Sequence, residues 1–215
     1  MESRPTPFLI AGFLAAVAAL LLFAWLANEM LEGDTLRFDG AVRNTIHSWA
    51  SPPLTAAMRG ITQLGSPEFL ILISVVLVWR LAWMGRKRAA TLLTVGAIGA
   101  LVLNELLKQL FHRHRPDAFF GYAEPLGYSF PSGHAISSAC FYGVAAAIIA
   151  ARTRSRIKKA LVWTGAALLA GLIGFSRIYL GVHYPSDVIA GYAAAIVWVT
   201  ALRAAYGVWL RRRLT

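Results

Sequence analysis

Charged side chains are scarce in this sequence. Only 14% of its 215 residues are Asp, Glu, Lys or Arg, while 58% are hydrophobic, and a soluble domain carries about 25% charged residues. The apolar residues come in long runs, and a run of about 20 residues spans a bilayer. The composition therefore predicts an integral membrane protein with little room for a separate soluble domain. We expect a single membrane domain over residues 1–215.

Cysteine is nearly absent. The single one, Cys140, lies in an apolar segment, which excludes a disulfide within the chain. The zinc motif H-E-x-x-H is missing as well, and outside residues 28–66 no acidic cluster accompanies the polar motifs described below. We therefore expect no metal site and no cofactor.

Acidic residues are also few, 10 against 21 lysines and arginines, so the formal net charge is +11. Such an excess can indicate nucleic-acid binding. Here, however, the basic residues form short clusters between apolar segments, as the positive-inside rule expects for a membrane protein. We therefore expect the bilayer as partner and no nucleic acid.

Six apolar segments predict an all-α bundle of six transmembrane helices. The first segment is longer than the apolar region of a signal peptide, which is about 7–15 residues, so it is expected to be a membrane helix. A short amphipathic helix is expected over residues 54–64, and Ser66, Pro67 and Glu68 then form a helix-start pattern. The predicted spans are residues 8–27, 66–83, 89–110, 132–151, 160–175 and 185–206.

Basic residues cluster after the second, fourth and sixth spans. These clusters lie at residues 80–88, 152–159 and 211–213. Six spans put all three on the same side as the N-terminus, and the positive-inside rule makes that side cytoplasmic. The opposite face, periplasmic or extracellular, then carries the loops at residues 28–66, 108–132 and 176–185, and the three polar motifs described below fall on that face.

The first motif is K-x6-RP, from Lys108 to Pro116. Lys108 and Arg115 are two turns apart on one helix face if the helix continues, although the proline favours a break. Such a pair suits a phosphate, because arginine can donate two parallel hydrogen bonds to it and lysine adds a localised positive charge. Interfacial snorkelling is the alternative. His112 and His114 are expected to contact solvent or headgroups.

The second motif, Pro131-Ser132-Gly133-His134, opens the fourth span. A helix N-terminus offers unpaired N–H groups and a partial positive charge to an anion. Ser132 can cap the helix or donate its hydroxyl, and Gly133 permits close approach to the backbone. His134 would stand at the edge of such a site, where a general acid is useful. The alternative is a capped helix with a histidine among the headgroups.

The third motif joins Ser176-Arg177 to His183 and Asp187. An aspartate one turn beyond a histidine can accept its ring N–H, which fixes the tautomer and leaves the other nitrogen free to attack. A helix cap with a neighbouring ion pair is the alternative. Glu105, inside the membrane before the first motif, is expected to partner a nearby cation.

These three motifs resemble the three-part signature of the type 2 phosphatidic acid phosphatase family, the membrane lipid phosphate phosphatases. All three parts occur in order and with the spacing of the family. The resemblance implies that His183 is the nucleophile, that Asp187 orients it, and that His134 protonates the leaving oxygen. The residues that it implies for holding the phosphoryl oxygens are Lys108, Arg115, Ser132, Gly133 and Arg177.

The resemblance further implies hydrolysis of a lipid phosphate or diphosphate at the outer face of the cell membrane, through a phosphohistidine and without a metal. Candidate substrates are undecaprenyl diphosphate, phosphatidylglycerophosphate and phosphatidic acid. Vanadium haloperoxidases and soluble acid phosphatases share the signature but lack six spans. A lipid phosphotransferase would use the same residues, and a non-catalytic lipid-binding protein remains a further alternative.

Overall fold

A computed structural model describes residues 7–122 and 126–212, with side chains over 10–122 and 126–205. The basic side chains expected at 211–213 lie outside this part. Within it the regular structure consists of helices, with no strand. The helices are α1 (Pro7–Glu32), α2 (Thr35–His47), α3 (Pro52–Gln63), α4 (Pro67–Trp83), α5 (Lys87–Phe111), α6 (Gly133–Ala150), α7 (Arg156–Tyr179) and α8 (Pro185–Arg212).

Five helices are long and apolar enough to cross a membrane, namely α1, α5, α6, α7 and α8. The shorter α4 follows α3 at a bend of 46°, and the two together pass as a sixth span. The predicted all-α membrane bundle is therefore confirmed. Ser66 caps α4 by accepting the N–H of Phe69 at 3.2 Å, as its sequence pattern indicates.

Helix α2 was missed by the sequence analysis, which treated residues 28–53 as a polar loop. The buried residues of α2 are Thr35, Asp39 and Ile46. Because two of these three are polar, the helix lacks the apolar stripe by which a surface helix is recognised. Its buried aspartate instead belongs to a network at the site described below.

Helix α5 ends at Phe111, and His112 adopts a left-handed conformation with φ 49°. Lys108 is thus in the last turn of α5, whereas Arg115 lies in the loop that follows. The helix therefore breaks, as Pro116 favours, but it does so before Arg115, and the two residues do not share a helix face.

Helix α6 packs against α5, α7 and α8, and α8 also packs against α1. The α6–α8 crossing is very close near the start of both helices. A Cβ atom at Gly191 would lie 2.8 Å from the carbonyl oxygen of Ser132 and 2.9 Å from the Cβ of Ala135. This crossing holds the second and third motifs against each other.

One end of the bundle is strongly basic. A cavity of about 720 Å³ there is lined by residues from the α4–α5 turn, the end of α6 and the later part of α8. Its basic lining residues are Arg86, Lys87, Arg88, Arg152 and Arg203. Two of the three basic segments that the sequence analysis assigned to one side, at residues 80–88 and 152–159, therefore meet at one end of the bundle.

Candidate active site

The three motifs meet around one cavity of about 680 Å³ at the end of the bundle away from the basic cluster. The motif residues that line it are Lys108, Arg115, Gly133, His134, Arg177 and His183. Ser132 and Asp187 are fully buried, and their backbones are joined by a hydrogen bond from Ser132 N–H to the Asp187 carbonyl at 3.0 Å. The structure thus brings together all of the residues proposed from the sequence.

His183 lies in the loop between α7 and α8. Its Nδ1 is 3.3 Å from Oδ2 of Asp187, and its Nε2 is 3.1 Å from a terminal nitrogen of Arg115. The loop turns at Gly181, whose φ is 79°, and a Cβ there would lie 2.6 Å from the backbone nitrogen of Phe119. With Asp187 accepting the Nδ1–H, the lone pair of His183 falls on Nε2, beside the arginine.

The imidazole of His183 is only 2% exposed. Burial lowers its pKa to about 3, outweighing the neighbouring Asp187 carboxylate, which raises it. His183 is therefore uncharged at neutral pH, as a nitrogen nucleophile must be.

Asp187 has a complete set of partners. Oδ2 accepts the hydroxyl of Ser129 and the backbone N–H of Tyr184, the latter at 2.9 Å. Oδ1 accepts from Arg113 at 2.6 Å. Asp187 thus caps the start of α8 and forms an ion pair, as the helix-cap alternative expected, and its Oδ2 also faces Nδ1 of His183.

Three cations provide the positive charge of the cavity: Lys108, Arg115 and Arg177. Arg115 also joins the α5–α6 loop to the α7–α8 loop, because it donates to the carbonyl oxygens of Gly127 and Val182 at 3.0 and 2.9 Å. Among the described side chains, no group of three or more His, Cys, Asp or Glu is placed to share a metal ion.

Two of the predicted phosphate ligands have buried polar atoms that find no hydrogen-bond partner among the described residues. These atoms are Nε of Arg177 and the hydroxyl of Ser132. Ser132 makes no side-chain cap bond to α6, so the alternative of a simple serine cap is wrong. Since buried polar groups are normally paired, these two groups are available to a ligand.

Asn104 is a cavity residue to which the sequence analysis gave no role. A Cβ atom at Gly133 would lie 2.8 Å from its Oδ1, so glycine is needed there to make room for the amide. The polar residue within an apolar span was the available signal, because such residues inside membranes are usually functional or paired.

Arg113 and Asp39 were also given no role from the sequence, although both belong to a buried ion-pair network with Asp187. The Arg113 guanidinium lies between two carboxylates, 2.7 Å from Oδ2 of Asp39 and 2.6 Å from Oδ1 of Asp187. Arg113 stands among the unspecified positions of the first motif, and Asp39 lies on the helix that was missed. Neither residue was distinguishable in sequence from other charged loop residues.

Glu105 interacts with Lys108 through their opposite charges, as expected, but forms no ion pair within 4.0 Å among the described side chains. Its carboxylate accepts from the amide of Gln109 at 2.8 Å, and the ion pairs between described side chains involve Asp39 and Asp187 instead. His112 and His114 are exposed, as expected.

The sequence is similar to those of known phosphatases, which agrees with the chemistry of this site. The sequence model of the PAP2 superfamily matches residues 89–211. Phosphatidylglycerophosphatase B of Bacillus subtilis (strain 168) is 33% identical over 183 residues, which cover 84% of this chain and 89% of that protein. Lipid A 1-phosphatase of Rhizobium johnstonii is 32% identical over 181 residues, covering 73% and 69%.

A solved structure is similar over most of the chain. The crystal structure of a transmembrane PAP2-type phosphatidylglycerolphosphate phosphatase from Bacillus subtilis matches with a TM-score of 0.81 and 29% identity, covering 88% of this chain and 94% of that one. The motifs, the fold and these similarities lead to one conclusion: the chain belongs to the PAP2 superfamily.

Proposed function

We propose that this protein is a membrane lipid phosphatase that hydrolyses a lipid phosphate or diphosphate. The observation that carries the proposal is the cavity in which the uncharged imidazole of His183 stands beside Arg115, with Lys108 and Arg177 in the same lining. A nucleophile surrounded by fixed cations suits an anionic phosphorus centre. The names of the relatives support the same class of reaction.

An apolar groove next to the cavity supports a lipid substrate. The groove has a volume of about 520 Å³ and lies between α4, α5 and α6. Pro67, Leu101 and Ser137 line both the groove and the site cavity. A substrate can therefore place its phosphate among the cations while an acyl or prenyl chain lies along the groove.

The proposed reaction has two steps. Nε2 of His183 attacks phosphorus to form a phosphohistidine, and His134 protonates the departing oxygen of the lipid. Water then attacks the phosphohistidine and gives a proton to His134, which the first step left neutral. The N–P bond breaks, inorganic phosphate is released, and His183 is again a neutral imidazole beside a protonated His134. Asp187 offsets the positive charge that His183 gains in the first step.

The developing negative charge on the phosphoryl oxygens is stabilised by the groups that face the cavity. We assign this role to Lys108, Arg115, Arg177, the hydroxyl of Ser132 and the backbone at Gly133. The partnerless Nε of Arg177 and hydroxyl of Ser132 would find acceptors in the bound phosphate.

Phosphate release from a panel of lipid phosphates in detergent tests the proposal. The panel contains phosphatidylglycerophosphate, named in the Bacillus relative, together with undecaprenyl diphosphate and phosphatidic acid. We expect release by the wild-type protein and labelled phosphate trapped on it after acid-free quenching. His183→Ala should show neither.

His114→Ala is the matched control, because His114 is an exposed histidine of the loop between α5 and α6 and does not line the cavity; it should keep full activity. No release from any lipid phosphate would overturn the proposed function. Substantial turnover by His183→Ala would overturn only the identity of the nucleophile.

The proposed mechanism needs no metal, because the three cations of the cavity provide its positive charge. Activity should therefore persist in EDTA. The measurement is phosphate release after dialysis against EDTA, with and without added Mg²⁺ or Zn²⁺. Loss of activity in EDTA that either ion restores would contradict this part of the proposal.

A further inference from the structure

A buried cation links two carboxylates behind the catalytic histidine. The Arg113 side chain is 8% exposed, and the side chains of Asp39 and Asp187 are not exposed at all. The two terminal nitrogens of Arg113 are divided between them, one 2.7 Å from Asp39 and the other 2.6 Å from Asp187. This bridge connects α2, the α5–α6 loop and the first turn of α8.

Asp39 also holds the residue that precedes Asp187. Its Oδ1 accepts the backbone N–H of Ser186 at 2.9 Å, and its Oδ2 accepts the Ser186 hydroxyl at 2.6 Å. Arg113 donates to the same hydroxyl at 2.8 Å. The start of α8 is therefore fixed from the side opposite the cavity by one aspartate and one arginine.

We propose that Arg113 and Asp39 are positioning residues for the reaction, which hold the Asp187 carboxylate in the orientation that directs Nε2 of His183 into the cavity. The proposal rests on the proposed function, since it assigns these residues a part in that reaction. Neither residue lines the cavity, so each acts through Asp187.

The partners of the Asp187 carboxylate explain why the bridge matters. Oδ1 is taken by Arg113, whereas Oδ2 faces His183, Ser129 and the backbone of Tyr184. Without Arg113, Oδ1 would be buried and unpaired, which is costly. The carboxylate would then no longer be held in one orientation. Its contact with Nδ1 of His183, 3.3 Å here, would vary in geometry while its charge stayed beside the imidazole.

The bridge also sets the charge around His183. Arg113 partly neutralises Asp187, and its removal would make protonation of the nearby imidazole more favourable. In the pH profile of kcat/KM, the acid limb is the range in which the rate falls because His183 becomes protonated. This limb should therefore move to higher pH when Arg113 is replaced by a neutral residue. A purely structural role would lower the amount of folded protein without moving this limb.

The experiment compares wild type, Arg113→Gln, Arg113→Lys, Asp39→Asn and the Asp39→Asn/Arg113→Gln double variant on a lipid phosphate. We expect Arg113→Gln to lower kcat by about 10²-fold, the effect of misplacing a reacting group by about 1 Å, with little change in KM. Arg113→Lys should recover part of this loss, because one ammonium keeps the charge but cannot form the paired fork contacts.

The double variant should lose no more than Arg113→Gln alone, because both changes break one network. Arg59→Gln is the matched control. Arg59 on α3 also donates to the α5–α6 loop, through the carbonyl of Phe120 at 2.9 Å, but it touches neither carboxylate. It should keep the wild-type kcat and acid limb.

Wild-type kcat in Arg113→Gln and Asp39→Asn would overturn the positioning role, as would a lower kcat with an unmoved acid limb. If Arg113→Gln does not fold, Arg113→Lys and Asp39→Asn decide the question, since both leave fewer buried charges unpaired. An inactive wild-type protein would instead overturn the proposed function, so the two failures are distinguishable.

Discussion

His134 and His183 line the same cavity but lie in different local structures. His183 is in a loop and is held from behind by Asp187, whereas His134 is in the first turn of α6 and is only half-buried. The arrangement suits a fixed nucleophile and an acid at the rim of the site.

The proposed acid can be tested separately from the nucleophile. His134→Ala should lower kcat by roughly 10²–10⁴-fold, the usual contribution of general acid–base catalysis. The loss should be much smaller for an aryl phosphate whose leaving group departs without a proton. An equal loss on both kinds of substrate, measured by phosphate release, would argue against the acid role.

The buried neutral state of His183 also predicts how stability depends on pH. Its pKa is lowered to about 3 in the folded protein and is near 6.5 in an unfolded chain. Between these values the unfolded state binds the proton and the folded state does not, so this group destabilises the fold as the pH falls through the window. At pH 4.5 this proton uptake lowers the free energy of unfolding by about 2–3 kcal/mol.

His183→Gln lacks this proton uptake, so its melting temperature should fall less than that of the wild type between pH 7.5 and 4.5. Melting in detergent at the two pH values measures the difference. Parallel decreases for the two proteins would mean that the pKa of His183 is the same in the folded and unfolded states, so that burial does not lower it.

At the scale of helices, the α6–α8 crossing joins the second and third motifs. Gly191→Ala would place a methyl group 2.8 Å from the Ser132 carbonyl oxygen, which is backbone and cannot move aside without shifting the helix. Overpacking of this kind costs about 1–3 kcal/mol. We expect a lower melting temperature and reduced activity.

Gly143→Ala on α6 is the control, because a Cβ there meets no atom within 4 Å, and it should leave both properties unchanged. Equal melting temperatures for the two variants would show that the crossing can relax around the added methyl group.

At the scale of the whole molecule, the basic cluster and the candidate active site lie at opposite ends of the bundle. We propose that the basic end is cytoplasmic and that the site faces the periplasm or the exterior of a cell membrane. A charged headgroup crosses the bilayer core reluctantly, so the substrate would be a lipid of the outer leaflet.

Single cysteines in a Cys140→Ala background test this orientation with a membrane-impermeant thiol reagent on intact cells. Leu126 lines the site cavity, and its side chain is 97% exposed. Leu126→Cys should react and Ser155→Cys, at the start of α7, should not. The reverse labelling would place the site in the cytoplasm.

The sequence by itself determined the membrane bundle and the chemical groups of the site. Apolar runs long enough to span a bilayer specify helices, because only there are all backbone polar groups satisfied within the segment. The spacing of the three motifs was enough to select the two histidines, Asp187 and the three cations that the structure places at one cavity. These are local properties, and each can be read within one segment.

Only the tertiary structure decided which groups support them. Arg113 and Asp39 are 74 positions apart in the chain, and Asp39 and Ser186 are 147 apart, so no local pattern relates them. The fit of Asn104 against Gly133 and the end of α5 before Arg115 likewise depend on packing between helices. A buried charge requires partners that satisfy it, and folding alone determines where in the chain those partners are found.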